Sequence, residues 1–363
     1  MKTNIKKLFL AAIVGALLAP VAHATSVSLL TVGGNASIKL VQDRLTNSVL
    51  SGGYVIVNAT NSLIFQANGT WGGTNVYWDF NFTGGAGAIQ DIASQNYVTR
   101  ADGSTGIPVS AISITAPETV AIDSTPFTQD YTLVAPVVYI RNPASVGSVA
   151  SITNITQRLA NYLEYAGGGL PTSWFGGPAA SNNIPGDNLY FVGRNSLAAV
   201  RQVIDAIVFE KNGCVNWTTN ASGQPIKYVD ALGNPSGAGS GPEVVNIVKT
   251  IPNSIGTVGA QDLPGASWAL TYEGVPFTTQ NVTNGTYPLW GYERYIYYPS
   301  GNAKAPTTQQ KALIKALEAA VSDSTYDHGN ALFVGKFVSY ADVNANIYRD
   351  PKVDGGLITS QNY

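Results

Sequence analysis

The sequence predicts an α/β protein built from two lobes, and three observations carry that prediction. Stretches with strand-like apolar patterning alternate along the chain with stretches whose apolar residues recur at helical spacing. Three Gly/Ser/Thr-rich turns sit where a strand hands over to a helix, the position at which open α/β sheets gather ligands. The length, 363 residues, suits two domains of ordinary size, each able to bury a core.

The elements follow in order. Ser26 to Val32 alternates apolar and polar residues and reads as a strand. Gly33-Gly34-Asn35 turns the chain, and Asn35 or Ser37 is placed to cap a helix with Ile38, Val41 and Leu45 on its apolar side. Tyr54 to Val57, Ser62 to Phe65 and Val76 to Phe82 read as strands. The turn Thr83-Gly84-Gly85-Ala86-Gly87 leads into a short helix near Ala88 to Ile92. Thr119 to Ile122 reads as a buried strand ending in Asp123-Ser124-Thr125-Pro126. Leu133 to Ile140 reads as a central strand and Asn154 to Glu164 as a helix.

Pro171 to Asn183 has loop composition. Leu189 to Val192 is a strand before an amphipathic helix, Ser196 to Phe209, with Leu197, Val200, Ile204 and Ile207 on one side. Ser240-x-x-Glu243, with Pro242 between, opens a helix to Lys249 as a capping box. Trp290 to Tyr298 is an aromatic strand. Thr307-x-x-Gln310 is a second capping box, before a helix with the stripe Leu313, Ile314, Leu317 and Val321. No repeat of solenoid period is visible.

Composition narrows the function classes. Lys2, Lys6 and Lys7, an apolar run from Leu8 to Pro20 and the small-x-small site Ala22-His23-Ala24 make residues 1–24 a secretory signal peptide, so export to the periplasm or cell surface of a bacterium is expected. The apolar run is too short to span a bilayer, and no membrane insertion is expected elsewhere. The net charge is −2 and falls further without the signal's lysines, which argues against a nucleic-acid partner. Only 12% of residues are charged, about half the usual share. Cys214 is the sole cysteine, so no internal disulfide forms. His328 is the only histidine outside the signal, and there is no Gly-x-Ser-x-Gly elbow. Metal centres, cofactors and hydrolytic triads are therefore disfavoured, and a non-enzymatic role is expected. The 19 Tyr and 6 Trp fit core and cleft packing, with no spacing that favours a sugar.

The most informative stretch is Phe191-Val192-Gly193-Arg194-Asn195-Ser196-Leu197-Ala198-Ala199-Val200. It reads as strand, arginine, helix start, and the unpaired N–H groups of a helix start favour anions. This stretch resembles the Arg-x-x-Gly-Ser-Gly-Thr segment of the phosphate-binding proteins of bacterial ABC importers. Further segments resemble that family in order: Val32-Gly33-Gly34-Asn35-Ala36-Ser37, Thr83 to Gly87, Val120 to Phe127, Ile155 to Leu159 with Trp174, Gly239 to Asp262, and Tyr287-Pro288-Leu289-Trp290.

The resemblance spans nearly the whole chain beyond the signal. It implies a type II periplasmic-binding-protein-like fold: two α/β lobes joined by two crossover strands, with a ligand cleft between them. Lobe 1 would be residues 25–132 plus 288–363, and lobe 2 residues 133–287. It implies a small oxyanion ligand of phosphate type and a membrane permease as partner.

On that resemblance Arg194 is the ligand arginine, suited to bidentate oxyanion pairing. Asp123 would face the ligand and favour a protonated anion over sulfate, with Ser124 as a donor beside it. Ser37 and Thr83 would add hydroxyls from lobe 1, and Ser196 from lobe 2. Each has a plainer use: Asp123 as a turn cap before Pro126, the others as caps or turn formers. Ala198-Ala199-Val200 departs from the family's Ser-Gly-Thr. Two lost hydroxyl donors at roughly 1.5–3 kcal/mol each weaken a site by about 3–6 kcal/mol, on the order of 10²- to 10⁴-fold. The alternative expectation is a secreted or cell-surface structural protein, self-associating, that keeps the fold and has lost the ligand.

Overall fold

The computed structural model describes residues 26–82, 84–145, 148–166, 168–175, 188–208, 216–323, 337–350, 354–355 and 357–360. The signal segment, Thr83, Cys214, His328 and most of the Pro171–Asn183 loop lie outside them.

The apolar stretches form one mixed sheet of 11 described strands. The strands are β1 (Ser26–Gly33), β2 (Ser51–Val57), β3 (Ile64–Trp71), β4 (Thr74–Asn81), β5 (Ser110–Ser113), β6 (Thr128–Ile140), β7 (Gly168–Pro171), β8 (Asn188–Val192), β9 (Ser254–Gly259), β10 (Trp290–Tyr297) and β11 (Val338–Ser339). The order across the sheet is β7-β8-β9-β6-β10-β5-β1-β4-β3-β2, with β11 on β6. β1 runs parallel to β4 and β5, β8 runs parallel to β9, and β2-β3-β4 is an antiparallel meander. Phe65 and Phe80 stack at 4.8 Å between ring centroids inside that meander.

β6 and β10 tie the two halves together. They pair antiparallel from Thr128↔Tyr297 to Pro136↔Trp290. Beyond that point β6 pairs with β9 from Val137 to Ile140. Pro136, which has no N–H to give to a ladder, sits at the changeover. β6 thus runs unbroken through residue 132, where the sequence suggested a lobe boundary. The apolar core is also continuous: one cluster holds Trp78 and Leu317 together with Phe191 and Val203.

The helices that bear on the site are α1 (Ile38–Arg44), α2 (Gly85–Ser94), α3 (Gln157–Ala166), α4 (Ala199–Val208), α5 (Gly241–Thr250) and α6 (Thr308–Ser322). α6 matches its sequence signals closely. Thr307 Oγ1 accepts from Gln310 N at 3.3 Å, Thr307 N donates to Gln310 Oε1 at 2.9 Å, and Leu313, Ile314, Leu317 and Val321 are buried. The α5 box forms only half. Ser240 accepts from Glu243 N at 3.2 Å, while the Glu243 carboxylate turns to Gly239 N at 2.8 Å and Tyr228 Oη at 2.7 Å.

Three expected elements differ. Thr119–Ile122 is no strand: Pro117–Val120 forms a 3₁₀ turn and Ala121 is left-handed at φ 57°. Pro117 presets the turn, and the Asp354 carboxylate caps it by accepting from Ala116 N (2.7 Å) and Thr119 Oγ1 (2.8 Å). That tertiary cap comes from more than 200 residues away and leaves no local signal. Asn154–Ile155 pairs with Thr271–Tyr272 instead of opening α3, which starts at Gln157. α4 starts at Ala199 and not at Ser196, because Asn195 closes a turn ahead of it: Leu197 N donates to Asn195 Oδ1 (3.1 Å) and Ala198 N to Asn195 O (3.1 Å).

Candidate functional site

Three chain reversals converge at one place. Each follows the carboxyl end of a parallel strand: Gly33-Gly34 after β1, Gly84-Gly85 after β4, and Gly193-Arg194-Asn195 after β8. Together with Ser113 and Ile114 at the end of β5 and Glu293 of β10, they line a cleft of about 30 Å³. α2 and α4 both begin here. Their first turns leave N–H groups without helical acceptors, and the first helical bonds are Ala88 N to Gly84 O and Gln202 N to Ala198 O. Two positive helix ends therefore face one small space.

The approach is close because one residue lacks a side chain. A Cβ on Gly85 would lie 2.8 Å from the Ala199 methyl and 3.1 Å from Ser113 Oγ. Glycine at 85 lets the α2 start meet the α4 start directly.

Arg194 supplies the cation. It is 4% exposed. Nε donates to Ala238 O at 3.1 Å and Nη2 to Gly239 O at 2.9 Å, which fixes the guanidinium plane. Nη1 is buried and has no hydrogen-bond partner among the described residues. Burial lowers its pKa from the ordinary arginine value, against the pull of Asp262 and Glu243. A buried guanidinium with one free donor, at the meeting of two helix starts, is an arrangement that an anion completes.

Glu293 is the second charged residue of the cleft lining. It is 1% exposed. Its carboxyl accepts from Thr132 Oγ1 at 3.4 Å, and the Ser37 hydroxyl nearby also favours its charged form. Among the described residues it has no ion-pair partner within 4 Å. Burial pushes its pKa up to about 7, partly offset by the two hydroxyls. The backbone aims it: the β6–β10 register shifts between Glu293 (opposite Leu133) and Arg294 (opposite Tyr131), leaving Thr132 as the extra residue of a bulge.

The expected site residues divide. Arg194 and Ser37 line the cleft, though Ser37 makes no side-chain cap to its helix. Thr83 lies outside the described residues, while the next residue, Gly84, lines the cleft. Asp123 and Ser124 are not in the lining. Asp123 is exposed and closes its own turn, accepting from Thr125 N and Thr125 Oγ1, each at 2.9 Å. Those bonds hold its pKa below the usual carboxylate value. Ser124 Oγ donates to Glu118. Ser196 is exposed on the turn before α4, its carbonyl accepting from Gln202, and it too is absent from the lining.

Sequence reasoning missed Glu293. Its one signal was an isolated Glu-Arg pair inside an aromatic strand. A larger depression of about 540 Å³ near Leu263, Ala266, Leu270 and Phe277 has no charged residue in its lining. Among the described residues no group of three or more His, Cys, Asp or Glu could hold a metal ion, and no helix is long and apolar enough to cross a membrane.

No family model matches the chain, and no curated protein matches it in sequence. Solved structures resemble it in fold. A protein from Clostridium perfringens described as a phosphate ABC transporter substrate-binding protein, with bound phosphate, shares 13% identity over 80% of this chain and 93% of its own, at a TM-score of 0.50. An ABC-type phosphate transport receptor from Vibrio cholerae shares 12% identity over 82% of this chain and 95% of its own, at 0.48. The periplasmic molybdate-binding protein of Azotobacter vinelandii shares 8% over 84% and 95%, at 0.38. The chain has the type II periplasmic-binding-protein-like fold.

Proposed function

We propose that this chain is an exported solute-binding protein that holds phosphate or another small oxyanion in the cleft between its two halves, makes and breaks no bond, and delivers its ligand to a membrane permease. The observation that carries the reading is Arg194 Nη1, a buried guanidinium donor without a partner among the described residues, where α2 and α4 begin. The first-turn amides of both helices supply the remaining donors. The fold shared with a phosphate-bound relative makes phosphate the first ligand to try. The lysine-led apolar segment at residues 1–24 supports export.

The test is thermal unfolding of the purified protein with millimolar phosphate, sulfate and related oxyanions. A ligand at about 100 times its Kd stabilises the fold by roughly 2.7 kcal/mol and raises the Tm. The rise is expected with at least one anion and is absent in Arg194→Ala. No rise with any anion overturns the reading. The methyls of Ala198 and Ala199 in the cleft wall would then mark a fold that has lost its ligand.

A further inference from the structure

Glu293 poses a problem that the anion reading leaves open. A carboxyl group lines the same small cleft as Arg194, and a carboxylate there would repel an anion. The surroundings decide its state. Ser37, just before α1, and Thr132 of β6 offer it hydroxyls. Tyr295 lies two residues along its own strand, with Glu318 of α6 also acting on that phenol. Arg194 lines the cleft with it but makes no ion pair with it. α4 presents Val203 to the neighbouring Gly291, and β5 presents Ser113 and Ile114. A fully buried carboxylate with hydroxyl partners and no cation is expensive to keep ionised.

Several other groups of the lining are donors. Arg194 Nη1 is free to donate, and the first turns of α2 and α4 add N–H groups. Ser113 Oγ accepts from Thr115 N at 3.0 Å, so its own hydrogen is available to a ligand. A ligand fitting this set needs acceptors.

We propose that Glu293 enters the site as a neutral carboxylic acid and donates a hydrogen bond to the ligand, so that the cleft accepts a proton-free oxyanion and takes up one proton with it. This inference rests on the anion-binding reading above. It reverses the preference expected from Asp123, which would have favoured an anion carrying its own proton. The neutral acid turns the one repulsive group of the lining into a further donor. Phosphate fits by a different account: as hydrogen phosphate it brings the shared proton itself, and no proton is drawn from solution. Burial, which favours the neutral form of Glu293 up to about pH 7, agrees with this geometry.

The experiment is calorimetric titration of the wild-type protein with sulfate and with inorganic phosphate, between pH 5.5 and 8.5, in two buffers of different ionisation enthalpy. For sulfate, close to one proton is taken up per anion at pH 8 and close to none at pH 5.5. The sulfate Kd rises about tenfold per pH unit above pH 7. For phosphate, uptake at pH 8 is near zero. Glu293→Gln, which keeps a donor and cannot ionise, binds sulfate with a Kd that does not change over this range. The wild-type proton count stands without the variant should Glu293→Gln fail to fold.

Sulfate binding with no proton uptake at pH 8, or with a Kd flat from pH 6 to 8.5, overturns the proposal. So does binding of phosphate with none of sulfate at pH 6, an outcome that leaves the anion-binding function standing. Binding of neither anion at any pH removes both readings.

Discussion

Glu293 and Arg294 are neighbours on one strand and have opposite settings. Arg294 is 1% exposed and fully engaged: Nη2 meets Asp354 Oδ1 at 3.1 Å, and Nη1 donates to Ile114 O at 2.9 Å and Tyr292 O at 3.0 Å. Asp354 in turn caps the turn at Pro117–Val120. Glu293 is as deeply buried and has hydroxyls and a cleft in place of a counter-ion. The difference separates a charge that fastens the fold from one left available. A buried charge with a full set of partners is part of the architecture. One without a counter-ion has a partner still to come, or gives up its charge.

The largest effect tests the fastened side. Arg294→Ala leaves the Asp354 carboxylate buried without its cation and should cost about 3–5 kcal/mol. Urea unfolding reads the loss, and Glu293→Gln at pH 8 should show none. Equal losses in the two variants would erase the distinction.

The second prediction concerns pH. Glu293 has its ordinary pKa of 4.5 raised to about 7 by burial. Glu164 of α3 is raised too, by burial first and by Asp205 beside it, against Arg201. Below pH 4.5 folded and unfolded chains both hold these protons. Between there and pH 7 the unfolded chain ionises while the folded one stays neutral, so stability falls as pH rises. The fall is on the order of 3 kcal/mol from Glu293 alone and levels off above its folded pKa. Denaturant unfolding at pH 5 and pH 8 measures it, and Glu293→Gln should flatten part of the slope. A protein more stable at pH 8 than at pH 5 would contradict this account.

Two smaller changes sharpen the comparison at the cleft. Gly85→Val forces a side chain against Ala199 and Ser113 and should cost about 1–3 kcal/mol, with any anion-induced Tm rise reduced. An unchanged Tm and an unchanged anion response would mean the two helix starts do not need their close approach. The smallest effect is at Asp123, an exposed turn cap. Asp123→Ala should leave the anion response as in wild type, and loss of that response would return Asp123 to the site.

The place of Arg194 in the cleft wall was legible because strand, arginine and helix start leave a local pattern, and α6 because its capping box and apolar stripe are both short-range. Glu293 was not. Every residue of β10 is buried, so patterning along the strand cannot say which side chain faces a cleft. Its environment is assembled from Ser37, Thr132 and Arg194, which are distant in sequence. Asp123 misled for the converse reason. Asp-Ser-Thr-Pro is a sufficient recipe for a turn, and the chain uses it as one. The start of α4 was misplaced by three residues because Asn195, and not Ser196, organises the turn before it.

The bulge at Thr132 has a mechanical consequence. β6 passes from its pairing with β10 to its pairing with β9 at Pro136–Val137 with no loop between, and the bulge lies on the β10 side of that changeover. Strain between the halves is therefore carried along β6 itself. A bulge interrupts the ladder and raises the local twist, so compliance concentrates there. That soft point is the residue whose hydroxyl meets Glu293. The irregular point of the ladder and the chemistry of the cleft thus share one residue.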